Sequence, residues 1–181
     1  MTKAVAEQRI ARPEEGEYIP YYGKYIALVP DGDLVELLRG QIGETLALLR
    51  GIPEARASYR YAPGKWSIKE VVGHMADVER VMAYRALRVA RDDKTPLPGF
   101  DENAYVPAAN FEGRSLASLA NELAQVRSAT IAFLETLDAV AAARQGVANN
   151  ASISARALAY IIAGHERHHV ALLRERYLKA S

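Results

Sequence analysis

Trp66-Ser67-Ile68-Lys69-Glu70-Val71-Val72-Gly73-His74-Met75-Ala76-Asp77 decides how this chain folds. Ser67 followed three residues later by Glu70 has the form of a capping box. The Ser hydroxyl accepts from the amide of the third helical residue, and the Glu carboxylate accepts from the cap amide. Apolar residues then recur at steps of three and four to about Ala90. Val71, His74, Val78 and Val81 make one face; Ile68, Val72, Met75 and Met82 make the adjoining one. Two apolar faces predict a helix well buried in a bundle. His74 interrupts a stripe otherwise made of valine.

Three further segments carry the same period. Leu34, Leu38, Ile42, Thr45 and Leu49 share one face, with Asp33 as cap, Glu36 behind it, and Gly51-Ile52-Pro53 as the stop. Leu116, Leu119, Leu123, Val126, Thr130, Phe133 and Leu137 form the third stripe, with Ser115 as cap. The fourth runs from about Ala155 to Leu178, capped by Ser152 or Ser154. Its inner stripe reads Leu158, Ile162, His165, His169, Leu172 and Arg176. No segment shows a convincing strand alternation. The fold expected is all-α, a four-helix bundle with long connections.

One connection, Asp92 to Arg114, contains Pro96, Pro98, Gly99 and Pro107 and exceeds the roughly 12–15 residues typical of structureless loops. It reads as a crossover and, with Phe100, Asp101, Glu102 and Tyr105, is expected to border the functional site. Ahead of the first helix, Tyr18 to Pro30 holds Tyr18, Tyr21, Tyr22 and Tyr25. It reads as an extended N-terminal arm packed on the bundle, or as an aromatic pocket wall or dimer contact. Residues 1–17 are expected to be a flexible N-terminal segment and 18–181 a single domain.

Composition bounds the function. The 181 residues are 50% hydrophobic and 25% charged, an ordinary globular profile rather than a disordered one. The formal charge of +1 gives no electrostatic case for nucleic-acid binding. Cysteine is absent, which excludes disulfides, zinc ribbons, Fe–S clusters and a cysteine nucleophile; any thiol must come from outside the chain. Met1 to Ile19 carries Glu7, Glu14, Glu15 and Glu17 without an apolar core, unlike an export signal. No apolar run approaches the roughly 20 residues that span a bilayer. A cytoplasmic protein without membrane or nucleic-acid partners is expected.

Four histidines exist, His74, His165, His168 and His169. His165 and His169 are four apart, so a helix sets both imidazoles on one side, about 5–6 Å apart at Cβ. Both replace Leu or Ile in the inner stripe, as His74 replaces valine in its own. Bundle cores build metal sites from such inward side chains on facing helices. His74, His165 and His169 are therefore the expected metal ligands. A lone inward histidine would more simply be a satisfied core residue, but three are not. His168 lies about 100° round from His169 and reads as a flank or as support for the ligands.

His165-Glu166-Arg167-His168-His169 also matches H-E-x-x-H, the zinc-protease helix in which the Glu is general base. The metzincin extension is missing, because Leu172 and Glu175 stand where its Gly and third His belong. Glu166 reads better as a solvated residue or a partner of the ligands. Asp77, three residues beyond His74, is a candidate carboxylate behind the ligands, or simply solvated.

These two runs, with Pro98-Gly99-Phe100-Asp101-Glu102 and the tyrosine arm, resemble the DinB-like (DinB/YfiT) superfamily of metal-binding four-helix bundle proteins. The resemblance covers nearly all of Tyr18 to Leu178. It implies a solvent-open metal site with His74, His165 and His169 as ligands. It also implies frequent homodimers, and relatives that are transferases or isomerases using bacillithiol, mycothiol or glutathione.

Three imidazoles leave a divalent metal at least one open position, the mark of a catalytic site. Such a metal lowers the pKa of a bound water to about 7 or deprotonates a coordinating thiol. Three readings follow: a metal-dependent transferase activating a low-molecular-weight thiol towards a small electrophile, a metal-dependent hydrolase, or a non-catalytic, stress-related metal-binding bundle. No side chain is assigned as catalytic. Zinc, nickel and iron all suit imidazole, and so does copper.

Overall fold

The computed structural model describes residues 10–179. Seven α-helices, one small hairpin, two short 3₁₀ turns and one π-turn make up the regular structure among them. Four long helices form the bundle: α2 (Leu34–Arg50), α3 (Ile68–Ala90), α5 (Leu116–Leu134) and α7 (Ala155–Leu172). Each begins on a capped amide. Asp33 accepts from the Glu36 amide at 3.0 Å, Ser115 from Ser118 at 3.1 Å and Ser154 from Ala157 at 3.0 Å. Ser67 and Glu70 complete the reciprocal capping box.

Of the long helices that follow one another in the sequence, only α3 and α5 are neighbours. α3 packs on α5 and α7, and α2 packs on the same two, so α2 and α3 stand diagonally opposed. The intervening segments are correspondingly long. The shorter helices are α1 (Pro20–Ile26), α4 (Glu102–Ala108) and α6 (Ala139–Ala143). The arm ahead of the bundle thus carries two turns of helix, α1, started by Pro20 and laid against α7.

The core is in two parts. One apolar cluster gathers Leu34, Leu38, Val78, Met82, Ile131, Leu158 and Ile162; the other gathers Leu49, Val72, Met75, Leu119, Leu123 and Leu173. Between them lies a layer of buried polar side chains: Gln41 and Thr45 of α2, His74 and Glu79 of α3, Arg127 of α5, and His165, Glu166 and His169 of α7.

Three features depart from the sequence reading. A hairpin, β1 (Gln145–Ala148) and β2 (Ala151–Ser154), precedes α7, turning at Asn149 and Asn150 with φ of 52° and 61°. That is the left-handed pair a tight hairpin turn requires. Second, α7 ends in a π-turn, Leu173–Tyr177. Its wider winding advances the buried face by one residue. Leu173 and Tyr177 face inward and Arg176 is exposed, where a continuous helix predicts Leu172 and Arg176 inside. Third, of the expected flexible segment 1–17, residues 1–9 lie outside the described residues, and within 10–17 Ile10, Pro13 and Glu17 are buried while Glu14, Glu15 and Gly16 are exposed. Ile10 is buried, Arg12 donates to the Val29 carbonyl at 2.6 Å, and Glu17 accepts from Arg156 at 2.8 Å.

Among the described residues no helix is long and apolar enough to cross a membrane.

Candidate metal centre

α3 supplies His74 and α7 supplies His165 and His169. The Nε2 atoms of His74 and His169 each lie 3.1 Å from Nε2 of His165. All three rings are buried, and one donor atom from each falls within 4.8 Å of the others. Burial holds the imidazoles neutral. It pulls His74 down to about 4, and it pulls His165 and His169 well below the usual histidine range, each pushed further by its neighbours.

A contact of 3.1 Å between imidazole nitrogens is either a shared proton or room for a cation that both lone pairs bind. Burial disfavours a second proton on either ring, so the pair holds one neutral N–H···N bond or offers both lone pairs to a cation. Nδ1 of His169 is buried without a protein partner. Three neutral nitrogen donors at this spacing fit a divalent ion of intermediate softness, one ligand short of a closed structural zinc site.

The trio lies beside a cavity of about 410 Å³. Tyr21, Tyr22 and Tyr25 of α1 form one wall, so the arm is the aromatic wall of a pocket. Phe100 and Glu102 bring the long Asp92–Arg114 segment to the site, as expected. Trp66 completes the lining beside His74, with ring centroids 4.6 Å apart. The π-turn matters here: the Tyr177 hydroxyl donates to the Trp66 carbonyl at 2.7 Å and fixes the indole's backbone.

Glycine lets neighbouring groups close on the helix backbone beside the histidines at two points. A Cβ on Gly164 would overlap the Tyr25 carbonyl, and one on Gly73 would overlap the Phe111 ring. Each glycine directly precedes a histidine of the trio.

Glu166 is not solvated and does not face the cavity. It turns to the bundle interior, where it accepts from Thr45 Oγ1 at 2.6 Å, from Arg127 at 2.6 Å and from Gln41. Arg127 also grips Glu79 through two bonds of 2.8 Å and reaches the Leu38 carbonyl at 3.3 Å. One network thereby ties all four bundle helices and turns Glu166 away from the role of general base that the H-E-x-x-H pattern gives it. Asp77 pairs with Arg80 at 3.5 Å and bonds to no histidine. His168 is exposed at the cavity mouth, its ring 5.5 Å from that of Tyr25.

Trp66, Arg85, Asn149 and Tyr177 were not singled out by the sequence. Only the single tryptophan beside the capping box carried a signal.

A diagonal four-helix bundle with three neutral imidazoles beside an aromatic cavity defines a class of helical protein with a candidate metal centre. The chain belongs to the DinB superfamily, whose pattern matches residues 37–173. Among solved structures it is similar to YfiT from Bacillus subtilis, described as a probable metal-dependent hydrolase with an unusual four-helix bundle topology. That likeness has a TM-score of 0.65 and 18% identity over 91% of this chain and 90% of that one. It is also similar to a mycothiol-dependent maleylpyruvate isomerase, with a TM-score of 0.64 and 13% identity over 80% of this chain. The chain spans 61% of the isomerase, less than two thirds of its length. No curated protein matches the sequence.

Proposed function

We propose that the chain is a metal-dependent enzyme that activates an external low-molecular-weight thiol, of the bacillithiol, mycothiol or glutathione kind, towards a small electrophile. His74, His165 and His169 hold the ion. The observation that carries this reading is the convergence of three buried, neutral Nε2 atoms beside an open cavity. The absence of cysteine supports an outside thiol, and the mycothiol dependence named for one structural neighbour agrees with it.

When bound, the metal supplies Lewis acidity, stabilising the deprotonated form of a thiol or water. The chain's own residues do the rest. Neutral imidazoles donate without cancelling the ion's charge. Tyr22, Tyr25 and Trp66 exclude water and give the substrate flat apolar faces. His168, at the mouth, is the titratable group placed to carry a proton on a ring nitrogen between the cavity and solvent.

A hydrolase is the second reading, favoured by the description of YfiT and by the same open site. A purely structural ion is disfavoured by the cavity. Homodimerisation and a cytoplasmic setting belong to the same proposal; light scattering and cell fractionation test them.

The deciding experiment is elemental analysis of protein purified without chelator after zinc and nickel supply. Assays with each thiol and 1-chloro-2,4-dinitrobenzene follow, with and without chelator, beside a panel of esters and amides. About one divalent ion per chain and chelator-sensitive thiol consumption are expected. Protein free of metal, or activity indifferent to the chelator, ends the reading.

A further inference from the structure

Arg85 is the one lysine or arginine among the residues lining the cavity, yet its relative exposure is only 3%. It sits on α3 eleven residues after His74. Eleven residues are three turns plus about 20°, so both face the same side, about 16 Å apart along the axis. Its Nη2 donates to the Pro98 carbonyl at 2.7 Å, its Nη1 lies 3.8 Å from the Met82 sulphur, and its guanidinium stands 5.4 Å from the Phe100 ring centre. The group is held rigidly by these contacts.

What it lacks is a counter-ion. No carboxylate among the described residues pairs with it, and Glu102, the only carboxylate lining the cavity, forms no ion pair with it. Arg127, the other deeply buried guanidinium, is bound by two carboxylates. A buried, unpaired cation is strongly unfavourable unless something completes it. Burial draws Arg85 below the usual arginine value, offset only by the Tyr22 and Tyr105 hydroxyls.

We propose that Arg85 anchors a carboxylate of the substrate, with the substrate body lying along Val78, Met82 and Tyr22 and its reacting end at the histidines. A guanidinium fork matches a planar carboxylate through two parallel bonds. A phosphate dianion would call for a second cation, and the lining offers none. The substrate class is an elongated organic acid, neither a neutral electrophile nor a polyanion. The reacting end rests on the proposed metal reading; the anionic end does not.

Trp66 is the only tryptophan and lines the cavity, so its fluorescence reports binding. The full chain is titrated with 3-phenylpropionate and with its neutral amide, both zinc-loaded and stripped by chelator. The acid is expected to bind about tenfold or more tighter than the amide in both states, as a charge-assisted bond implies. Arg85→Gln, which removes the charge and keeps a polar amide, brings the acid to the amide's affinity and leaves the affinity for the amide unchanged. Arg85→Lys, which keeps the charge without the fork, gives an intermediate affinity and stands in should Arg85→Gln fail to fold.

Equal affinity for acid and amide overturns the proposal. So does an equal loss of both in Arg85→Gln, which makes Arg85 a brace for Pro98. An acid preference seen only with zinc and indifferent to Arg85→Gln puts the anion on the metal and also overturns it. Zinc titration of the wild-type chain is read separately. If zinc fails to bind but the Arg85-dependent preference persists, the metal reading falls and this one stands.

Discussion

The carbonyl of Tyr25 occupies the space a Cβ on Gly164 would need, so α1 rests directly on the backbone of α7 one residue before His165. Gly164→Ala should push α1 off the bundle and open the cavity, because the obstacle is backbone and cannot swing aside. Overpacking of this kind costs about 1–3 kcal/mol. Gly40→Ala, with nothing within 4 Å, is the matched control and should gain slightly. Melting curves and limited proteolysis within residues 18–30 measure both. Equal melting temperatures for the two variants would mean that α1 does not press on α7.

Replacing His74, His165 or His169 singly by Ala should abolish tight zinc binding, while His168→Ala should retain it. The first three place Nε2 atoms within one cluster, and His168 faces outward at the mouth. Calorimetric zinc titration of the four variants distinguishes them. Retained affinity in His74→Ala would detach α3 from the centre.

Stability of the metal-free chain should fall between about pH 6.5 and pH 4. Burial lowers His74 to about 4 and the other two well below 6.5, so in this window the unfolded chain binds more protons than the native one. Stability is therefore complete above the unfolded value and declines as pH drops. Carboxylates held low by arginine, such as Glu17, Glu70 and Asp93, lose their contribution as pH falls from the ordinary carboxylate range towards their lowered values, beneath most of this window. Denaturant midpoints at pH 7, 6 and 5, with His74→Ala beside wild type, test this. A flat wild-type profile over that span would contradict it.

Arg127→Met should destabilise by about 3–5 kcal/mol, because it strands two buried carboxylates. Glu166→Gln should cost less, since the amide still bonds Thr45, and should leave zinc affinity within a few fold because Glu166 faces away from the trio. Urea unfolding and zinc titration measure the two effects. A large loss of zinc affinity with unchanged stability would return Glu166 to the metal site.

How much of this was legible in the sequence follows the range of each interaction. The starts of α2, α3, α5 and α7 can be read because Asp33, Ser67, Ser115 and Ser154 cap residues three positions away. The inward histidines can be read because one helical stripe fixes their phase. The burial of Glu166 cannot, since its arginine lies 39 residues upstream on another helix. H-E-x-x-H describes one helix face and says nothing about what packs on the next. The hairpin was hidden by strands of four residues without alternation; Asn149-Asn150 was its only mark. The π-turn left no local pattern, and the inner stripe slips by one position just where it begins. Arg85 lies on the readable face of α3, but its missing counter-ion is a property of the assembled cavity.

The diagonal placement of α2 and α3 bears on how fast the chain can fold. The bonds across the polar layer join residues far apart in sequence: 48 positions for Arg127 and Glu79, 91 for His74 and His165, and 125 for Gln41 and Glu166. An up-and-down bundle closes its interior through short loops, and helical proteins rich in such local contacts fold within microseconds to milliseconds. Here, of the successive long helices, only α3 and α5 can dock on each other. α2 must wait for α5, and the histidine cluster must wait for the last helix. The entropy of closing these loops is spent before the layer returns any of it, so this chain should fold more slowly than an up-and-down bundle of its size.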